Sequence, residues 1–187
     1  MRLAFASALV AVPFAVCAQQ AQPDETHYYN VSGTTAAEVR ASMNASRPST
    51  SDGQRHDAVT NWTIRWQYRT TAARNRCDLT SFSVVEEVTE TMPKWLDEPS
   101  APPDLAARWH TFIATLTTHE AGHVAIASEA LEAIRKAGRR LTSDANCADL
   151  KRAIDNAGNG LLAEYKEKDK KYDADTQHGR TQGVKFP

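Results

Sequence analysis

The sequence predicts an α+β fold in which a small antiparallel sheet packs on a long antiparallel helix pair. Apolar and polar residues alternate over residues 62–68, which is typical of a half-buried strand. Apolar residues recur every three or four positions over residues 104–137, which indicates an amphipathic helix. A second stretch with helical spacing begins near residue 143 and runs to about residue 172. The connection between the two is short, so we expect antiparallel neighbours.

The N-terminus has the pattern of a secretory signal peptide. A positive start precedes an apolar run over residues 3–16, and small residues follow at Cys17 and Ala18. The run is too short to span a membrane. We therefore expect residues 1–18 to be removed after Ala18, giving a secreted or periplasmic protein with no stable membrane insertion. A lipid anchor on Cys17 is the alternative, but Val16 is bulky where such signals usually carry a small residue.

Residues 19–187 are long enough for one domain with a real core, and we expect a single domain. The net charge of -1 argues against a nucleic-acid partner. Two cysteines remain after the signal, Cys77 and Cys147, and in an oxidising compartment they are expected to form a disulfide. Metal binding by these cysteines is the rival interpretation, which the lack of a Cys-x-x-Cys motif disfavours.

The first strand is expected at residues 27–32, followed by a break at Gly33. Thr34 or Thr35 is then expected to cap a short helix that ends near residue 44, and Glu38 stands three residues after Thr35 as in a capping box. Residues 46–57 are rich in Ser, Pro, Gly and Asp and predict a loop, in which His56 is expected to be solvated.

Residues 77–91 predict a further strand that pairs with residues 62–68 as an antiparallel hairpin. The alternation slips near Val84 and Val85, which indicates a bulge there. Gly138 is expected to end the long helix.

The long helix carries His119-Glu120-Ala121-Gly122-His123. Residues four apart lie on one helix face, so His119 and His123 can bind one divalent cation, and zinc is the metal that this spacing favours. Glu120 lies about 100° around the helix, where it can act as general base on a metal-activated water. The alternative is a hydrogen-bonded pair of core histidines beside a buried glutamate. Without partners such a group would be costly to bury, so we favour a metal.

A catalytic zinc site usually has a third protein ligand. The metzincin spacing would place it at Glu129, but Ile126 stands where that pattern needs a turning glycine. If the two helices are antiparallel with the turn centred on residue 140, residues 157–161 lie opposite the two histidines. Tyr172 then lies roughly 16 Å from His119 along the helix axis. Glu164 lies about one turn from this point.

The tail after Tyr172 could also reach the metal, since six extended residues span roughly 20 Å. This makes Asp173 and His178 candidates beside Glu164, and reach alone does not choose between them.

Several stretches resemble the domain of unknown function 922 family, whose members are predicted secreted zinc-dependent proteases. They are Tyr28-Tyr29-Asn30-Val31-Ser32-Gly33-Thr34-Thr35, residues 62–68, Pro93-x-Trp95, His119-Glu120-x-Gly122-His123 and Tyr172-Asp173-x-x-Thr176-x-His178-Gly179-x-x-Gln182-Gly183. The resemblance implies a Zn²⁺-dependent peptidase exported by a Gram-negative-type bacterium. It favours His178 as third ligand over Glu164, with Asp173 as the second choice.

The resulting hypothesis is a secreted zinc metallopeptidase acting on a peptide or protein substrate. His119, His123 and His178 would bind Zn²⁺, Glu120 would be the general base, and Tyr172 is a candidate donor to the oxyanion. An edge strand of the sheet would align an extended peptide. The alternative is a non-enzymatic exported envelope or interaction protein in which the metal is structural or absent.

Overall fold

The computed structural model describes residues 22–50 and 53–186. The predicted signal peptide, its cleavage site and Cys17 lie outside the described residues. The fold is α+β, with a small mixed sheet and three helices. In chain order the elements are β1 (Glu25–Val31), α1 (Ala36–Ser46), β2 (Val59–Ala73), β3 (Arg76–Trp95), α2 (Pro103–Arg140), β4 (Ser143–Asp144) and α3 (Cys147–Thr176). Among the described residues, no helix is both long and apolar enough to cross a membrane.

Strand β3 is the centre of the sheet. It pairs with β2 in an antiparallel hairpin that starts with Val59 opposite Thr91, so the predicted hairpin is confirmed. Strand β1 lies on the other side of β3 and is parallel to it, with Glu25 opposite Thr89. The prediction of a purely antiparallel sheet was therefore wrong. Helix α1 and the loop after it separate β1 from the hairpin, and a connection of this length permits parallel pairing.

The irregularity in the hairpin is not where the sequence placed it. The register shifts between Arg69 and Thr70 on β2, whereas the strand stays regular at Val84 and Val85. Val85 is 57% exposed. The apparent slip in alternation therefore reflects an apolar side chain on the open face of the sheet, not a bulge.

Helix boundaries follow their local capping chemistry. Thr35 and Glu38 form the predicted capping box at the start of α1. Helix α2 continues past Gly138 to Arg140, because Gly138 does not adopt the positive φ that would end the helix. The lack of a side chain at Gly138 instead gives room for the Phe82 ring, which an added Cβ would overlap.

Helix α3 starts later than expected. Residues 143–144 pair with β3 as strand β4, and the helix begins after Asn146, whose side chain accepts a hydrogen bond from the backbone N–H of Asp149 at 2.9 Å.

The predicted disulfide between Cys77 and Cys147 is confirmed. It joins the start of β3 to the start of α3 and closes a separation of 70 residues. On the chain-entropy argument a loop of this size stabilises the fold by about 4 kcal/mol. The bond therefore fixes the N-terminal end of α3, remote from Asp169 and Asp173.

Two hydrophobic clusters lie along α2. The first cluster joins the N-terminal half of α2 to α1, the strand ends and the C-terminal tail. It includes Val31, Met43, Trp95, Trp109, Phe112, Leu116 and Phe186. The second packs its C-terminal half against the hairpin and α3, and it includes Trp62, Ile64, Val88, Val124, Ala127 and Ile134. The buried polar residues of α2 lie between the clusters, so packing holds them from both directions.

Candidate metal centre

Three donor atoms converge where α2 meets the last turns of α3. His119 and His123 lie one turn apart on α2 and are only 3% and 6% exposed. The Nε2 atom of each lies 3.2 Å from Oδ1 of Asp173. One ligand atom from each of the three residues lies within 4.8 Å of the others.

The spacing of these atoms fits a tetrahedral zinc site. Zinc binds imidazole nitrogen and carboxylate oxygen at about 2.0–2.2 Å, and neighbouring corners of such a tetrahedron are about 3.3 Å apart. The two distances of 3.2 Å to Asp173 agree with this. Two imidazoles and one carboxylate are also a donor set that zinc accepts, so the residues present fit the ion.

The opposite nitrogen of each ring has its own partner. Oδ1 of Asp169 lies 2.8 Å from Nδ1 of His123, and Oε1 of Gln182 lies 2.9 Å from Nδ1 of His119. Both oxygens accept, so the two Nδ1 atoms carry the protons. Each Nε2 atom in turn faces Oδ1 of Asp173, and either a second ring proton or a metal cation can satisfy that contact.

The electrostatics of the site favour that cation. Burial lowers the pKa of His123, but hydrogen bonds to Asp169 and Asp173 outweigh burial and raise the pKa to about 10. Burial raises the pKa of Asp173, but hydrogen bonds from His119 and His123 outweigh it and hold this pKa below its usual range. A proton can satisfy this arrangement, and so can a divalent metal.

Glu120 is turned from the ligand face towards the sheet. It is 3% exposed, and its Oε2 accepts a hydrogen bond from the Thr60 hydroxyl at 2.6 Å. Burial raises the pKa of Glu120, although the bond from Thr60 opposes the rise. Glu90, opposite Thr60 on β3, is also buried, and its pKa is raised by burial and by the charge of Glu120. The carboxylate of Glu120 is therefore a better proton acceptor than that of an exposed glutamate.

Tyr172 lies directly against the first histidine of the motif. Its ring stacks on His119 with centroids 5.1 Å apart, and its hydroxyl donates to the His119 carbonyl at 3.1 Å. The predicted 16 Å offset was wrong. Helix α2 ends at Arg140 and α3 starts at Cys147, each about three residues later than expected, which explains part of the shift. Residues 169–173, not 157–161, therefore face the histidines. An oxyanion role for Tyr172 stays a prediction. In this structure its hydroxyl donates a hydrogen bond to the α2 backbone.

The structure brings Asp173, not His178 or Glu164, to the two histidines. Nδ1 of His178 lies 3.2 Å from Asp173 Oδ1, and the ring is 54% exposed and packs against His56 with centroids 4.4 Å apart. His178 has a positive φ just after the end of α3, where the chain turns. Its ring contacts Asp173 but is not among the donor atoms that converge with the two histidines. Glu164 is exposed on α3 and is not among the converging donors.

A family match covers most of the chain. The sequence profile described as "Bacterial protein of unknown function (DUF922)" matches residues 26–179. The chain belongs to the DUF922 family. The matched stretch contains His119, Glu120, His123 and Asp173, whereas Gln182 follows its end. No curated protein and no solved structure matched this DUF922 chain.

Sequence reasoning gave no role to three residues of the DUF922 site: Thr60, Asp169 and Gln182. Asp169 lies in the Lys- and Glu-rich run over residues 166–171, for which a solvated helix face is the simplest interpretation from sequence. The sequence did contain a signal for Asp169. Asp169 and Asp173 are four residues apart on α3, as the histidines are on α2, so they share one helix face. Thr60 had no such signal, since only pairing with β3 and packing on α2 direct it to Glu120.

Gly122 of the motif is expected to be intolerant of any side chain. A Cβ there would overlap the hydroxyl and Cζ of Tyr172. We predict that Gly122→Ala displaces this ring, destabilises the protein by about 2–3 kcal/mol as overpacking does, and weakens zinc binding. Denaturant unfolding of the metal-free protein and zinc titration measure the two effects.

Gly160→Ala is the matched control, because a Cβ at Gly160 on α3 meets nothing within 4 Å. It should leave zinc affinity unchanged and stabilise the helix by roughly 0.5–1 kcal/mol. Equal behaviour of the two alanine variants would contradict the role of Gly122.

Proposed function

We propose that this DUF922 protein is a zinc-dependent metallopeptidase. In this proposal α2 is a zincin-like helix that supplies His119, His123 and Glu120, and α3 packs antiparallel to it and supplies Asp173. The observation that carries the proposal is the convergence of three donor atoms beside a buried glutamate that is not one of them. Contacts of His119 with Tyr172 and of His123 with Asp169 support the antiparallel pairing, since the numbers rise on one helix as they fall on the other.

Each residue has a defined task in peptide hydrolysis. Bound zinc would polarise the scissile carbonyl and lower the pKa of a water molecule. His119, His123 and Asp173 would hold the ion. Thr60 fixes Oε2 of Glu120, which orients Oε1 as the atom that takes the proton from water. Because burial raises the pKa of Glu120, its carboxyl can hold that proton and deliver it to the leaving amine.

The surroundings of Glu120 favour an extended peptide as substrate. Strand β2 is at the end of the strand order, and its first residues lie beside Glu120. An extended peptide can pair with such an edge. Lys166 donates to the Trp62 carbonyl at 2.8 Å, so we expect pairing to be confined to the part of β2 before Trp62.

Export to the periplasm or medium is part of the proposal. The Cys77–Cys147 disulfide supports an oxidising compartment. The net charge of -1 gives no support to a nucleic-acid partner, and a peptide or protein remains the proposed one.

A second candidate function is a non-enzymatic exported protein with a structural zinc. The observation that favours it is the ring of His178, 3.2 Å from the Asp173 oxygen. If this ring became a fourth ligand, the shell would be closed, as structural zinc sites are, and no position would remain for water.

Removing and restoring the metal tests the proposal. We expect the purified protein to carry about one zinc per chain by elemental analysis and to cleave members of a mixed peptide library, detected by mass spectrometry. Chelation should abolish cleavage and added zinc should restore it. Bound zinc without cleavage of any peptide would instead support the structural site, and a protein that binds no zinc would overturn both candidates.

A further inference from the structure

We propose that Gln182, in the C-terminal tail, is a positioning residue that fixes the tautomer and orientation of His119. The inference rests on the proposed metal site and identifies a residue outside the stretch that the family profile matches. A histidine binds metal through a nitrogen that carries no proton, so whatever holds the proton on the other nitrogen prepares the ring.

Gln182 is joined to His119 by a closed set of hydrogen bonds. Its Oε1 lies 2.9 Å from Nδ1 of His119, and its Nε2 donates to the Tyr172 hydroxyl at 3.0 Å. That hydroxyl in turn donates to the His119 carbonyl at 3.1 Å. The network thus holds both the ring and the backbone of one residue.

With a metal ion on Nε2 of His119, its Nδ1 carries the ring proton, and the network then favours one orientation of the Gln182 amide. If its nitrogen faced His119 and its oxygen faced Tyr172, the hydroxyl would have to donate to the amide and could not donate to the His119 carbonyl. In the observed orientation every donor has an acceptor. The oxygen of Gln182 therefore accepts the Nδ1 proton of a His119 ring whose Nε2 binds the metal.

The tail is anchored so that Gln182 stays in place. Val184 and Phe186 are each 8% exposed and belong to the first hydrophobic cluster. Nη2 of Arg40 donates to the Phe186 carbonyl at 2.9 Å. A Cβ at Gly179, which has φ of 79°, would press on both Val184 and His119, so the turn lies close against the ring.

The two histidines are supported by different chemistry. His123 has the carboxylate of Asp169, whereas His119 has a neutral amide. Three carboxyl groups already surround the site, those of Glu120, Asp169 and Asp173. An amide supplies the acceptor without a fourth negative charge, which explains why glutamine suits this position.

The test measures His119 directly. Nitrogen-15 NMR of the zinc-loaded protein should show the proton on Nδ1 and the metal on Nε2 of His119 in the wild type. Gln182→Met keeps the length of the side chain but removes the strong acceptor, and a mixture of tautomers is expected. Zinc titration should show dissociation constants about 10–100-fold weaker, the usual effect of losing an outer-shell partner. Gln182→Glu restores the acceptor and should recover the tautomer and most of the affinity.

Arg180→Met is the matched control, because Arg180 is an exposed side chain on the same tail. It should change neither the position of the His119 ring proton nor the zinc dissociation constant. Tyr172→Phe removes the other partner of Gln182 and should produce a smaller shift in the same direction, which covers the case in which Gln182→Met folds poorly. An unchanged tautomer in Gln182→Met, or failure of Gln182→Glu to restore it, would overturn the inference. A protein that cleaves no peptide but shows these shifts would reject the peptidase and keep the role of Gln182.

Discussion

Replacing Glu120 with glutamine is expected to lower kcat for peptide hydrolysis by about 10²- to 10⁴-fold while zinc stays bound. The amide of Gln keeps the size of the side chain and can still accept the hydrogen bond from Thr60, but it cannot take a proton. Glu120 is not among the three converging donors, so zinc content should not change. Steady-state kinetics and elemental analysis on the same preparation measure both quantities.

Glu129→Gln provides the control for removing a carboxylate from α2. Glu129 is exposed and forms an ion pair with Lys168, so its loss should leave kcat and zinc content within about twofold. If Glu120→Gln hydrolysed peptides at the wild-type rate, Glu120 would not be the general base.

Asp173→Asn is expected to weaken zinc binding by more than about 100-fold, beyond the usual effect of an outer-shell change. The substitution removes the charged oxygen on which the two Nε2 atoms converge, and an amide is a much poorer zinc ligand. Competition with a coloured chelator gives the dissociation constant. Denaturant unfolding of the zinc-free variant shows whether the fold is retained.

His178→Gln distinguishes the two candidates for the third ligand. Its ring contacts Asp173 but lies outside the converging donors, so we expect zinc affinity to fall less than about tenfold. If His178→Gln lost zinc and Asp173→Asn kept it, His178 would be the third ligand. Loss of zinc in both variants would indicate a closed site of four ligands and would favour a structural role.

Local patterns predicted those elements whose cause is local. The capping box at Thr35 and Glu38 depends on residues three apart, and the hairpin depends on a two-residue alternation, so both could be found without knowing the fold. The disulfide followed from counting the two cysteines that remain after the signal. Family membership was also predicted from short motifs and is confirmed by the profile match.

The errors came from features that have no local signal. The direction of β1 depends on where α1 returns the chain, and the relative position of the helices depends on residues 141–146. This connection pairs with β3 before α3 begins, which shifts α3 by more than one turn from the expected position.

Close contacts at glycines of α2 and α3 fix this position. Gly122 accepts the Tyr172 ring and Gly158 accepts the Trp66 ring, each where a Cβ would not fit. A side chain packed against a glycine backbone leaves little freedom to slide, because interiors are close-packed.

The sequence by itself determined that His119, Glu120 and His123 share a helix and that the two histidines lie on one face of it, because residues four apart are one turn apart. Only the tertiary structure decided which oxygen meets the two rings and which residues support them. Asp173, Asp169, Gln182 and Thr60 come from α3, the tail and β2, and their positions depend on packing between elements. One turn of slippage along α3 would move Asp173 by about 5 Å, which is enough to remove it from the site.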